Sequence, residues 1–456
     1  MAVVTIIHLR ETAMSKNTRF HSLGQILSQF VTPEVWRQAH QAWWQDHWPS
    51  RWRLKPLMWL LLCMAWCCGD SHEERFATAH MVYVAAHQRE RRPGTTLAGF
   101  LDALAHLPMP VLRALGQGIR AKLGDQFVEA LRLKGWLPMA CDGTRLECPR
   151  SQELQQRLGE AGKSDSAPMI YLTALVLLPV GLPWSWRWGK GTANELDHLQ
   201  RLLPTLPEKA LLVADAFYLG YELYRAIMQA QAAFLMRMSS RACLYTSTQV
   251  ALERFREGLV YYWPQHMRER GQPPLRCRLL RVGGKKANVW LLTNILDRKQ
   301  LSRKEAARVY RWRWRNEGLF RHYKRLLHKV KLQSRTLALV HREAEGSLLA
   351  LQLLLAMAAQ AHGRGRNLVV SSDSPRQALL YIRGEVTALL RSLGPRQFQT
   401  YRRMLSVVRS RVCQGSSAKV RQDWPRRRKH KPPKPPKIRV LSDALKLKMR
   451  KHLEAA

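Results

Sequence analysis

Five apolar runs between residues 135 and 240 constrain this chain more than any other feature. "LPMACDG", "MIYLTALVLLP" and "LPWSWRWGKG" read as three strands, the second and third joined by a turn at Pro179–Pro183. "ANELDHLQRLL" follows as an amphipathic helix, with Leu196, Leu199, Leu202 and Leu203 on one side. "ALLVADAFY" is a buried strand ending at Asp215, "LGYELYRAIMQAQ" a helix and "AAFLMRM" a fifth strand. Three strands followed by two helix-linked strands require a mixed α/β sheet, because helical crossovers join parallel neighbours.

That order is the pattern of a ribonuclease-H-like fold. The sequence divides around it. Residues 1–128 form a helical N-terminal domain, with apolar residues at helical spacing in "LGQILSQFV" and "LAGFLDALAHL". Seven tryptophans lie between Trp36 and Trp66, interleaved with Arg37, Arg51, Arg53 and Lys55. They suit a tryptophan-rich core with a basic rim, and equally a DNA-docking surface. Residues 129–237 carry the first part of the sheet, and 238–288 a small β insertion with a turn at Gly283-Gly284. Residues 289–365 complete the core. There "SRKEAARVY" opens a long helix running to about Val330, with Ser302 and Glu305 as a capping box. Residues 366–456 are a basic C-terminal region containing "RRRKHKPPKPPK", an extended solvated run suited to sequence-independent DNA contact.

Charge narrows the partner. The chain has 75 Lys and Arg against 33 Asp and Glu, a net charge of +42. Such an excess repels itself unless a polyanion offsets it. Nucleic acid fits best, because the cations spread along the whole chain. The eight cysteines lack disulfide spacing, and Cys63, Cys67 and Cys68 read as buried helix residues. The longest apolar stretches, Leu57–Cys68 and Leu348–Ala359, are too short to span a bilayer, and no signal peptide is expected.

Against this basic background, Glu317 is the one acidic residue between Ala306 and Arg342. On a continuous helix, Tyr310, Arg313, Glu317 and Lys324 fall within about 60° of one another. Trp312, Leu319, Tyr323, Leu326 and Val330 gather on the opposite side. Each acid has an ordinary reading: Glu317 pairing with Arg313 and Arg321, Asp142-Gly143 as a turn, Asp215 as a helix cap. Together they suggest more. Two aspartates ending adjacent strands and a glutamate on a downstream helix converge in a ribonuclease-H-like sheet. Phosphodiester cleavage by two divalent ions roughly 3.5–4 Å apart needs such a set of carboxylates.

The spacing Tyr310-x2-Arg313-x3-Glu317-x6-Lys324 resembles the Tyr-Arg-Glu-Lys signature of DDE transposases from bacterial insertion sequences, of the IS-four-like branch. The strand endings "CDGT" and "ADAFY", and "WLLTN" before the signature helix, agree with it. The resemblance covers about residues 135–360. It implies a catalytic, metal-binding triad of Asp142, Asp215 and Glu317, with two Mg²⁺ ions (Mn²⁺ as the substitute). Tyr310, Arg313 and Lys324 are then DNA contacts near the transposon end. Some relatives stack a flipped base on a tryptophan before the "LLT" strand; here Trp290 stands one residue away, and Val289 fills the matching place. The implied reaction is cut-and-paste transposition: end nicking, hairpin formation and strand transfer. The implied partners are duplex DNA and a second copy in a homodimeric synaptic complex, in the bacterial cytoplasm at the nucleoid and not at a membrane. The alternatives are a ribonuclease-H-like host nuclease or resolvase, and a decayed transposase that only binds DNA.

Overall fold

The computed structural model describes residues 28–43, 51–159, 166–249, 251–252, 254–283, 288–329, 331–363, 374–410 and 434–454. Most of the "RRRKHKPPKPPK" run, part of the tryptophan-rich segment, Gly284 and Val330 lie outside the described residues.

The described residues of the N-terminal region form helices, while most of "LGQILSQFV" lies outside the described residues. The helices are α1 (Pro33–Gln41), α2 (Leu54–Trp66), α3 (His72–Ala86), α4 (Leu97–His106) and α5 (Met109–Phe127). Helix α2 is apolar all round and buried on nearly every side, so it must sit inside the structure. Cys63 and Cys67 are buried there, but Cys68 is exposed, because the helix ends at Trp66 and the chain turns out towards solvent.

A ten-stranded mixed sheet follows. Its strands are β1 (Leu137–Glu147), β2 (Met169–Leu177), β3 (Leu182–Lys190), β4 (Ala210–Ala214), β5 (Ala233–Arg237), β6 (Cys243–Thr246), β7 (Glu257–Tyr262), β8 (Leu275–Val282), β9 (Val289–Thr293) and β10 (Lys437–Val440). The spatial order is β10-β6-β7-β8-β9-β5-β4-β1-β2-β3. Strands β1, β2 and β3 are antiparallel neighbours. Strand β4 runs parallel to both β1 and β5. The crossovers use α7 (Glu195–Leu202) before β4 and α8 (Tyr221–Gln229) before β5. A short helix, α6 (Gln152–Leu158), lies between β1 and β2.

Two sequence expectations are corrected, at the end of β1 and in the C-terminal region. Strand β1 does not stop at Asp142-Gly143 but continues to Glu147, because β2 pairs with it throughout. Within the segment 238–288, strands β6, β7 and β8, with the short α9 (Gln265–Glu269), widen the main sheet, because β8 pairs with β9. The basic C-terminal region contains ordered structure, since β10 adds to the edge at β6 and α15 (Asp443–Glu454) places His452 against Trp263.

The expected long helix is also broken. The capping box forms, with Ser302 and Glu305 bonding each other's backbone N–H groups. Helix α10 (Arg303–Trp312) then ends in a turn at Arg313–Trp314, and α11 (Arg315–Arg321) continues into a π-helical turn, His322–Leu326. Before the break, Ala306, Val309 and Tyr310 pack on the core beside Ala140, Val213 and Leu235. After it, Leu319, Phe320 and Tyr323 join the larger core containing α2. Three further helices complete the chain: α12 (Leu337–Gly363), α13 (Ser374–Arg391) and α14 (Pro395–Ser410).

Glu343, buried on α12, ties this region together. It accepts from Lys329 Nζ (2.6 Å) and from the backbone N–H of Gln333 (3.0 Å) and Ser334 (2.9 Å), and lies 3.7 Å from His72. Burial pushes its carboxyl up, but Lys329 and His72 overcome this and hold it well below the usual range. A group depressed in this way stabilises the fold above its unfolded pKa, and that stability is lost as pH falls. Lys329→Met strands this carboxylate, so urea unfolding should show a loss of about 3–5 kcal/mol. Adding Glu343→Gln should recover a large part of it. A loss under about 1 kcal/mol in the single variant would mean the pair does not hold the fold.

Candidate active site

Register builds the site. Strands β1 and β4 are parallel, with Ala140 paired to Val213. Two residues further on, Asp142 comes level with Asp215, just past Ala214 at the end of β4. Side chains alternate along a strand, so both aspartates share the face of Ala140 and Val213. That is the face on which α10 packs through Ala306, Val309 and Tyr310. Helix α11, carrying Glu317 in its first turn, packs against β1.

Each aspartate is locally tethered. Gly143 N–H donates to Asp142 Oδ1 (2.9 Å), and Phe217 N–H donates to Asp215 Oδ1 (2.8 Å). Asp215 thus organises a loop and does not cap α8, which begins at Tyr221. Burial and the neighbouring Glu195 raise the Asp142 carboxyl to about 7, with Asp215 adding to the effect. The Gly143 N–H and Arg313 act against them.

Glu195 is the acid that sequence reading missed. It opens α7 beside the N-cap Asn194. The hydroxyls of Tyr171 (2.8 Å) and Tyr218 both donate to its carboxylate. Burial raises its pKa, Asp215 adds to the rise, and the two tyrosines and Arg145 oppose it. Gly143 makes room for this arrangement: a Cβ there would come within 2.3 Å of the Tyr171 hydroxyl and 2.8 Å of Glu195. The amphipathic pattern of "ANELDHLQRLL" drew attention to leucines, and nothing local marks Glu195 as facing the aspartates.

The remaining expected residues are distributed as follows. Glu317 is exposed and stands apart from the charges that shift Asp142. Lys324 Nζ donates to Thr144 Oγ1 (2.7 Å), two residues along β1 from Asp142. The Arg313 guanidinium lies 5.6 Å from the Tyr310 ring and 5.3 Å from that of Trp314. Arg313 Nε and the Tyr310 hydroxyl are buried without a hydrogen-bond partner among the described residues. Trp290 is 6% exposed, closed in by Phe255 (5.7 Å) and Arg281 (5.9 Å). Among the described residues, no three His, Cys, Asp or Glu side chains gather closely enough to hold a metal ion. The structure therefore brings Asp142, Asp215, Glu195 and Arg313 into one electrostatic neighbourhood, and leaves Glu317 on the adjoining helix.

Residues 138–353 match the family model described as the transposase DDE domain. No curated protein matches the sequence. Among solved structures, a cryo-EM structure of the piggyBac transposase synaptic complex with hairpin DNA is similar at 9% identity and a TM-score of 0.43. The similarity covers 85% of this chain and 86% of that one. The domain match supports a DDE transposase family for the segment that holds Asp142, Asp215 and Glu317.

The raised Asp142 carboxyl gives a prediction with a definite sign. The folded protein holds that proton up to about pH 7, whereas the unfolded chain releases it near pH 3.8. This group's contribution to stability is therefore lost as pH rises between those values, at up to about 1.4 kcal/mol per pH unit. In thermal melts without divalent metal, Asp142→Asn should gain on the wild type as pH rises through that window. An unchanged difference between mildly acidic and alkaline buffer would show that burial and the neighbouring carboxylates do not raise the Asp142 carboxyl.

Proposed function

We propose that this chain is an insertion-sequence transposase that cuts DNA at the ends of its element and joins them to a target. The observation that carries this reading is the placement of Asp142 and Asp215 side by side on one face of adjacent parallel strands, within the segment that matches a transposase DDE domain. The arrangement of β1 to β5, three antiparallel strands and two helix-linked parallel ones, suits the ribonuclease-H-like core this reading calls for.

A divalent cation fits the aspartates on chemical grounds. Asp142, Asp215 and Glu195 crowd one another, and a hard cation with oxygen ligands offsets that repulsion. Asp142, Asp215 and Glu317 would hold two Mg²⁺ or Mn²⁺ ions. Bound there, such ions lower the pKa of water and relieve charge on the phosphodiester. Glu317 lies on α11, after a helix break and before a π turn, and completing the triad would require that element to move towards the aspartates.

The chain's own cations then position DNA. Arg313 stands beside Asp142, its Nε unpartnered among the described residues, and its guanidinium suits a bidentate phosphate contact. Lys324, held at Thr144, places an ammonium two residues from Asp142 on the same strand. The buried Tyr310 hydroxyl, next to Arg313, likewise has no hydrogen-bond partner among the described residues. Trp290 could stack a base only if Phe255 or Arg281 moved aside. Cut-and-paste chemistry through hairpins, in a homodimeric synaptic complex inside a bacterial cell, completes the proposal.

The test uses duplex DNA carrying the inverted repeats that flank the gene. Wild-type protein should nick the repeat boundary in Mg²⁺ and not in EDTA. Asp142→Asn, Asp215→Asn and Glu317→Gln should each lose nicking while holding the DNA in gel shifts with little change. Nicking at the wild-type rate by any one variant removes that residue from the triad. Nicking that persists in EDTA overturns the metal-dependent reading.

A further inference from the structure

A second group of charges lies away from the aspartates. A cleft of about 480 Å³ opens along the edge strand β3, between α5, the end of α7 and the start of α12. Arg113 and Arg120 reach it from α5, Arg187 from β3 and Arg201 from α7. We propose that this cleft is a separate DNA contact, in which the four arginines bind phosphodiester backbone beyond the cleavage position.

The first argument is charge without compensation. Among the described residues none of the four pairs with a carboxylate. Glu345 is the acid that lines the cleft, and it is already engaged: its Oε2 accepts from Trp186 Nε1 (2.9 Å) and Trp188 Nε1 (2.7 Å). Burial also favours its neutral form, against the two tryptophan N–H groups and a weaker attraction to Arg113. Burial, and then Arg201 and Arg113, lower the pKa of Arg187, so these cations destabilise one another as they stand. An anion held by several guanidiniums would relieve that repulsion and release counterions.

The second argument is position. Asp142 pairs with Ala174, and Ala174 with Trp186. Trp186, which lines the cleft, thus lies on the same cross-strand row as the aspartate, two strand spacings or about 10 Å away, and Arg187 follows it on the opposite face of the edge strand. A polynucleotide at Asp142 has further phosphates at such distances, whereas a small free phosphate does not need that alignment. The choice of DNA rests on the transposase reading; the uncompensated arginines do not.

Fluorescence anisotropy without divalent metal tests the cleft independently of cleavage. The probes are a labelled duplex of arbitrary sequence and, separately, a labelled nucleoside triphosphate. The variants are Arg113→Ala/Arg187→Ala/Arg201→Ala and the matching Arg→Lys triple, each checked for folding by thermal melt. The alanine triple should bind the duplex more weakly, and its slope of log affinity against log salt should fall by roughly 0.9 for each arginine that contacts phosphate. The lysine triple should keep most of the slope. If the alanine triple misfolds, the exposed single change Arg201→Glu should show the same direction. Unchanged duplex affinity and slope overturn the proposal. Loss of nucleotide binding with duplex affinity intact assigns the cleft to a small phosphate ligand and also overturns it. If these losses occur but the wild type never nicks, the cleft stands and the transposase reading falls.

Discussion

The unequal neighbours of β1 govern this structure. The strand is eleven residues long, and β2 covers it from Met139 to Glu147. On its other side β4 covers only Leu137 to Ala140. The stretch from Cys141 to Glu147 therefore overhangs β4 and leaves a notch in the sheet. The residues bordering this notch make polar contacts. Gly143 N–H turns to the Asp142 carboxylate, Arg145 donates to Gly191 O, and Thr144 receives Lys324. Asp142 and Asp215 meet where the shorter strand ends. A β4 two residues longer would fill this notch.

The break between α10 and α11 answers a second conflict. The helix that follows Ser302 must bury Val309 and Tyr310 against one face of the sheet, then Leu319 and Tyr323 in the other core. The turn at Arg313–Trp314 and the π turn at His322–Leu326 reset its phase. Tyr310, Arg313, Glu317 and Lys324 are thus carried by an interrupted helix and not by a continuous one. Arg313 comes to Asp142 from the turn, Lys324 reaches β1 from the π segment, and Glu317 stays exposed between them.

What the sequence made legible is what local pattern determines. Apolar runs marked β1 to β5, the Ser302–Glu305 box marked the start of α10, and helical spacing marked the N-terminal region. What it hid depends on distant partners. The continuation of β1 past Gly143 needs β2, and β10 needs β6, about two hundred residues earlier in the chain. Glu195 acquires its meaning from Tyr171 and Tyr218, neither of them near it in sequence. The break after Trp312 follows from two cores that no single window of sequence contains.

In the proposed function a divalent ion sits on Asp142, Asp215 and Glu317. Cysteine replacement at each position tests it most directly, because Mg²⁺ is a hard cation that avoids sulfur while Mn²⁺ tolerates softer ligands better. The measurement is nicking of inverted-repeat DNA by Asp142→Cys, Asp215→Cys and Glu317→Cys in each ion. Activity lost in Mg²⁺ and recovered in Mn²⁺ is the predicted result. Activity that does not depend on which ion is supplied, whether retained or absent in both, would contradict direct metal ligation at that position.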